Sequence, residues 1–273
     1  MDNTAERRRV VVTGASSGIG LAAATRFAGQ GDEVVLVGRD PARLTAAAER
    51  VRRLTGRDPE LFRADFAVLD DVRRLAANLR DAYDRIDVLA NNAGAIAVQA
   101  STTVDGYEWN IQANHLAPFL LTNLLSDRLR RVVNTASAAH RLGVVDPDDL
   151  SAQLRHYRAL RAYGVSKQAT ILFTAEAARR WPRLCSYAFH PGVVRTRFGG
   201  DNPVVAFGMR IAPFLRSPER AAQTLVWLAG QDPAALVNGG YYVDQRLRKP
   251  HRAATDPQLA ARLWEASVAA VGL

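Results

Sequence analysis

Short runs of β-branched and aliphatic residues alternate along this chain with longer stretches in which apolar positions recur every three or four residues. Arg9-Val10-Val11-Val12-Thr13 predicts a buried first strand, and the alanine-rich Leu21 to Gln30, stopped by Gly31, a first helix. Glu33 to Val37 reads as the second strand. Asp40-Pro41 then supplies an N-cap and first-turn residue for a helix to about Thr55. A third strand, Glu60 to Arg63, precedes a helix from Leu69 whose Val72, Leu75, Ala76 and Leu79 share one face. Asp87 to Ala90 and Arg131 to Ala136 read as the fourth and fifth strands. Between them, Asp105 to about Arg128 is a long helical stretch interrupted by Pro118.

Leu142 to Leu160 is polar, carries Asp146-Pro147-Asp148 and predicts an irregular connection. A helix beginning near Arg161 buries Val165, Ala169, Leu172 and Phe173. A sixth strand, Leu184 to Phe189, a helix from Pro218 to Ala229, a short strand at Tyr241 to Val243 and a helix opening at Asp256-Pro257 follow. Strand and helix alternating in this way predict right-handed parallel crossovers. The expected fold class is α/β, a doubly wound parallel β-sheet with helices on both faces. No repeat or linker divides the chain, so residues 1–273 are expected to form a single domain. Ligands of such sheets sit beyond the carboxyl ends of the strands, so the residues there carry the functional reading.

After the first strand comes Gly14-Ala15-Ser16-Ser17-Gly18-Ile19-Gly20, opening directly into a helix. Unpaired N–H groups and the positive helix end make such a turn an anion site. Its glycine spacing is GxxxGxG, so the common dinucleotide pattern GxGxxG is not matched literally. At the end of the second strand, Gly38 leaves the place of the ribose-binding acid uncharged and Arg39 follows. Asp40 already has a capping job. The expected cofactor is therefore NADP(H), with Arg39 on the 2′-phosphate.

Tyr163 and Lys167 stand four residues apart on one helix, so the phenol and the amine can face one site. Lowering a phenol by about two to three pH units requires roughly 3–4 kcal/mol. An ammonium about 4 Å away at an effective dielectric of about 20 supplies on the order of 4 kcal/mol, so one lysine suffices to make the tyrosine an acid–base catalyst. Among 36 basic residues only Lys167 and Lys249 are lysines, which marks position 167 as one that needs a compact point charge.

Composition narrows the picture. The formal charge of +9 is spread along the chain and interleaved with acids, as in Asp70-Asp71-Val72-Arg73-Arg74, so it points away from nucleic acid and is compatible with an anionic cofactor. Cys185 is the single cysteine and the five histidines are scattered, so neither an internal disulfide nor a metal site is expected. No run reaches the 18 or so apolar residues of a membrane span. The expected setting is cytoplasmic. The region from about 192 to 215 mixes Gly and Pro with Phe198, Val204, Phe207 and Phe214, which predicts an apolar substrate lid.

Taken together, Gly14/Gly18/Gly20, Asp65, Asn91-Asn92-Ala93-Gly94, Asn114, Ser137, Tyr163 with Lys167, and Pro191-Gly192 resemble the short-chain dehydrogenase/reductase family over essentially the whole chain. Asn114-His115-Leu116-Ala117-Pro118-Phe119, the pair Ala139-His140 and the tail Tyr241 to Pro250 are similar to its retinol-dehydrogenase-like branch. The resemblance implies an oxidoreductase that interconverts an alcohol and a ketone or aldehyde by hydride transfer. It makes Tyr163 the general acid or base, Lys167 its modulator and a ribose ligand, Ser137 the partner of the substrate oxygen, and Asn114 the holder of a relay water. Gly14, Ser16, Ser17, Gly18, Ile19, Gly20, Arg39, Asp65, Phe66, Asn92, Ala93, Gly94, Pro191, Gly192, Val194 and Thr196 would line the cofactor, together with Tyr163 and Lys167. Pairing into a homodimer or homotetramer would use the helices around Phe119 to Leu125 and Val165 to Phe173. The competing readings are a dinucleotide-sensing regulator without catalysis and a nucleic-acid binder.

Overall fold

The computed structural model describes residues 7–194 and 215–273. Thr196 and the predicted lid, apart from its two ends, lie outside the described residues. Among the described residues, eight strands form one sheet: β1 (Arg9–Thr13), β2 (Glu33–Gly38), β3 (Glu60–Arg63), β4 (Val88–Asn91), β5 (Arg131–Thr135), β6 (Cys185–His190), β7 (Tyr241–Val243) and β8 (Arg246–Leu247). Their order is β3-β2-β1-β4-β5-β6-β7-β8, with every pairing parallel except β7 with β8. The order reverses between β1 and β4, and the two loops that leave this switch point face each other across the site.

One face of the sheet is covered by α1 (Gly18–Gly29), α2 (Pro41–Thr55) and α7 (Pro218–Gly230), whose Phe27, Leu44 and Leu225 pack on Val10, Val12 and Leu36. The other face carries α3 (Leu69–Ala82), α4 (Trp109–Ile111), α5 (Ala117–Leu125), α6 (Ala159–Arg180) and α8 (Pro257–Val271). Asp40 caps α2 through Oδ1, which accepts the Arg43 N–H at 3.0 Å, and Pro41 follows at the first turn. That confirms a structural task for Asp40.

Three local features depart from expectation. Helix α1 starts three residues early, at Gly18, because its first turn is built from Gly18-Ile19-Gly20, residues with little helix propensity of their own. The hairpin to β8 turns on Asp244 and Gln245, both at positive φ (51° and 61°), a geometry that glycine or asparagine usually advertises and this sequence does not. The long stretch from Asp105 resolves into α4, a π-helical turn (Gln112–Leu116) and α5. Pro118 has no N–H, so the carbonyl of Asn114 lacks its α-helical donor; the Thr170 hydroxyl donates to it instead, at 3.3 Å. The distortion expected from the proline is present, and Asn114 sits inside it.

The expected pairing face requires correction. Phe119 to Leu121 and Val165 to Phe173 are buried within the chain itself. Helix α8 lies over them, with Trp264 packed edge-on against Phe119 at 5.0 Å and Trp181 at 5.0 Å, and tilted against Phe173 at 5.9 Å. The apolar rows read as an interface are core beneath a helix of the same chain.

Candidate active site

Ser137, leaving β5, and Tyr163 and Lys167, on the second turn of α6 and beyond, meet at the carboxyl edge of the sheet. The Ser137 hydroxyl hydrogen-bonds the Tyr163 oxygen, an interaction that favours the phenolate. Ser137 Oγ also accepts the Ala139 N–H at 3.2 Å, which fixes its rotamer. Lys167 Nζ donates to the Thr135 carbonyl at 2.8 Å and lies 5.6 Å from the centre of the Tyr163 ring. Both side chains are buried.

Burial decides their ionisation. Desolvation drives the Tyr163 phenol above its usual value of 10, the Ser137 hydrogen bond opposing it, and lowers the Lys167 amine to about 7. This is opposite in sign to the lowered phenol expected beside a fully charged lysine, because the same desolvation that acts on the phenol erodes the charge on the amine.

Asn114 is placed beside them by the π turn. Its side-chain amide is fully engaged, Nδ2 donating to the Ala95 carbonyl at 3.0 Å and Ser166 Oγ at 3.1 Å while Oδ1 accepts the Ala95 N–H at 3.1 Å. The expectation that Asn114 holds a water would then rest on its main-chain carbonyl, which accepts the Thr170 hydroxyl at 3.3 Å. A cavity of about 10 Å³, close to the volume one water needs, is lined by Asn91, Asn114, His115, Thr135, Lys167 and Thr170 among others. Two buried atoms of its lining residues, Asn91 Oδ1 and His115 Nδ1, have no hydrogen-bond partner among the described residues.

The nucleotide-loop residues also converge. A Cβ on Gly20 would lie 2.2 Å from the Gly14 carbonyl oxygen, and one on Gly94 would lie 2.5 Å from Asn114 Oδ1 and 3.4 Å from Lys167 Nζ. Gly14 and Gly18 hold positive φ (66° and 54°). Helices α2, α7 and α8 are capped by Asp40, Ser217 and Asp256, but Ser17 makes no side-chain cap at α1, whose first turn contains no acid. That uncapped end, beside Ser16 and an exposed Arg39, fits the phosphates of a dinucleotide. Arg39 Nη1 is 3.5 Å from Asp65 Oδ2, so the residues expected at the 2′-phosphate and the adenine sit together.

Other expected cofactor residues take more structural parts. Phe66 is buried in the core against α3, leaving only its backbone for a ligand. Asn92 Nδ2 donates to the Thr13 carbonyl at 3.0 Å, and Thr13 Oγ1 accepts the N–H groups of Asn92 and Ala93 at 3.0 and 2.9 Å. This hydroxyl, which sequence reasoning missed, locks the two loops of the switch point together; its position directly before Gly14 was the available signal. Ile19 packs part-buried against the α1 side of the core. Pro191 to Val194 are strapped by residue 216, whose N–H donates to the Val193 carbonyl at 2.8 Å, with Gly192 at φ 87° under the Arg216 side chain. Thr135, which anchors Lys167, carried no sequence signal, because its carbonyl acts rather than its side chain.

Residues 8–203 match the family model described as short chain dehydrogenase. The chain is 52% identical over 267 residues to the "Putative daunorubicin C-13 ketoreductase DnrU" of Streptomyces sp. (strain C5), covering 97% of this chain and 93% of that protein. It is 37% identical over 281 residues to human retinol dehydrogenase 13, covering 97% and 85% of the two chains. Among solved structures, a "putative short chain dehydrogenase" from Escherichia coli CFT073 complexed with NADPH superposes with a TM-score of 0.68 at 28% identity, over 88% of this chain and 97% of that one.

Proposed function

The chain belongs to the short-chain dehydrogenase family and is an oxidoreductase of it, and from that premise we propose that it is an NADPH-dependent ketoreductase acting on a lipophilic ketone or aldehyde. The observation that carries this reading is the convergence of Ser137, Tyr163, Lys167 and the Asn114 carbonyl at the carboxyl edge of the sheet, beside the uncapped end of α1. Bound there, the dinucleotide would supply a hydride to the carbonyl carbon. The rest belongs to the chain. Ser137 would hold the substrate oxygen, and Tyr163 would deliver its phenolic proton to that oxygen as charge develops.

The raised phenol suits this direction of reaction, since a proton donor must be protonated beforehand. Lys167, poised near 7, would stabilise the transient phenolate and pass a proton toward the cavity beside Asn114. Gly14, Ser16, Ser17, Gly18, Ile19 and Gly20 would hold the pyrophosphate. Arg39 would hold the 2′-phosphate, Asp65 and the Phe66 backbone the adenine, and Asn92 to Gly94 with Pro191 to Thr196 the remaining length. NADPH over NADH is supported by Arg39 and by the NADPH-bound neighbour in the same fold. A lipophilic ketone is supported by the relatives' names, one a ketoreductase and one a retinol dehydrogenase. A cytoplasmic setting is part of the same proposal.

The test is loss of reduced-nicotinamide absorbance with a panel of aryl ketones and long-chain aldehydes. Turnover with NADPH is expected, and Arg39→Ala should raise KM for NADPH about tenfold or more while moving KM for NADH less than twofold, the pattern of one charged contact removed. Equal losses for both cofactors would remove the phosphate role.

A further inference from the structure

A second cavity, of about 310 Å³, opens where β6 and β7 end, and its wall begins at Ala138, the residue after Ser137. The floor is apolar or neutral: Val243, the buried ring of Tyr241, and His190, whose Nδ1 accepts the Ala138 N–H at 3.2 Å. The rim carries Arg141, Arg248 and Lys249, all exposed, and no carboxylate lines it among the described residues. Elsewhere acids and arginines are commonly paired, as in Arg80 with Asp127 and Arg262 with Asp148. None of the three rim cations has an acidic partner among the described residues.

Burial lowers His190 to about 4, and the charges of Arg216 and His140 push in the same direction. Burial likewise lowers His140, against the opposing hydrogen bond to the Ser137 carbonyl, with Arg141 and His251 adding smaller contributions to the lowering. The carboxylate that acts on His190 is Asp244, and it is committed to Arg216, whose Nη2 donates to Oδ2 at 2.9 Å. A volume near 300 Å³ holds a compact aromatic or alicyclic body. An apolar floor under a cationic rim that lacks an acidic partner among the described residues recognises such a body ending in a negative charge.

We propose that this cavity is the substrate-selecting pocket and that, among lipophilic carbonyl compounds, Arg141, Arg248 and Lys249 favour those that also bear a carboxylate or other anionic group over their neutral and cationic analogues. The proposal rests on the ketoreductase reading for its position beside Ser137, but it makes a binding claim of its own. The test compares para-acetylbenzoate with its methyl ester, by calorimetric binding and by NADPH turnover. Wild-type protein should bind the acid about tenfold more tightly, as expected for several partly solvated charge contacts, and lose that margin as salt rises. In the combined variant Arg141→Gln, Arg248→Gln and Lys249→Gln the margin should fall within about twofold.

Equal or tighter binding of the ester by wild type, or an acid preference that survives in the variant, would overturn the proposal. Acid-selective binding abolished in the variant, with neither compound reduced, would support the pocket and remove the ketoreductase reading. Reduction of both compounds with no binding preference would do the reverse.

Discussion

Tyr163 is chemically ambiguous by itself, and its neighbours resolve it. The phenol is buried, hydrogen-bonded by Ser137 and 8% exposed, so the neutral donor form dominates at physiological pH. Tyr163→Phe removes the proton donor while leaving the ring in place, and turnover is expected to fall by about a thousandfold or more, within the range attributed to a lost acid–base group acting with its oxyanion partner. Dissociation constants for NADPH, read by fluorescence titration, should change less than threefold. Retained turnover would mean that another group protonates the substrate.

At the level of elements, the site depends on close approach between loops. A methyl group at Gly20 would meet the Gly14 carbonyl oxygen at 2.2 Å and carbon at 2.7 Å, and Asn92 Nδ2 at 2.6 Å. The first two are backbone atoms of the phosphate turn and cannot step aside singly. Gly20→Ala is therefore expected to cost about 1–3 kcal/mol of stability, the usual range for overpacking, and to weaken NADPH more than tenfold by shifting the turn. Urea unfolding and calorimetry would measure the two losses; an unperturbed cofactor affinity would show that the turn is not the phosphate site. Pro118 acts at the same scale, since a missing N–H four residues on is what leaves the Asn114 carbonyl to the Thr170 hydroxyl.

For the whole molecule, burial of neutral histidines sets the acid limit. His115 is lowered by burial to about 3 and His190 to about 4, from 6.5. Below about 6.5 the unfolded chain takes up protons that the native chain refuses, so stability falls as pH drops, by up to about 1.4 kcal/mol per pH unit for each such histidine. Lys167, lowered from 10.5 to about 7, has the same sign at higher pH: stability rises from pH 7 toward 10.5. Urea unfolding across pH 4 to 6.5 is expected to show a shallower slope in His115→Gln than in wild type; identical slopes would mean the ring is protonated in the native state.

Association is decided at this scale too. With α8 covering Phe119 and Phe173, the protein is expected not to pair through α5 and α6. By light scattering, Trp264→Ser should self-associate more than wild type by uncovering that face. A wild-type dimer whose interface crosslinks through α5 would contradict this.

The sequence by itself determined the order and type of the elements from β1 to β7, the capping of α2 and the distortion near Asn114, and it named the candidate site residues, because each is written in local periodicity, in glycine and proline, or in short polar motifs. Only tertiary structure decided the rest. Thr13 and the Thr135 carbonyl matter through partners 79 and 32 residues away, the signs at Tyr163 and Lys167 follow from desolvation, and a face apolar enough to suggest a partner proved to be covered by α8. Periodicity records that a surface must be hidden from water. Which surface hides it, and what that does to a buried charge, depends on packing between residues distant in the chain.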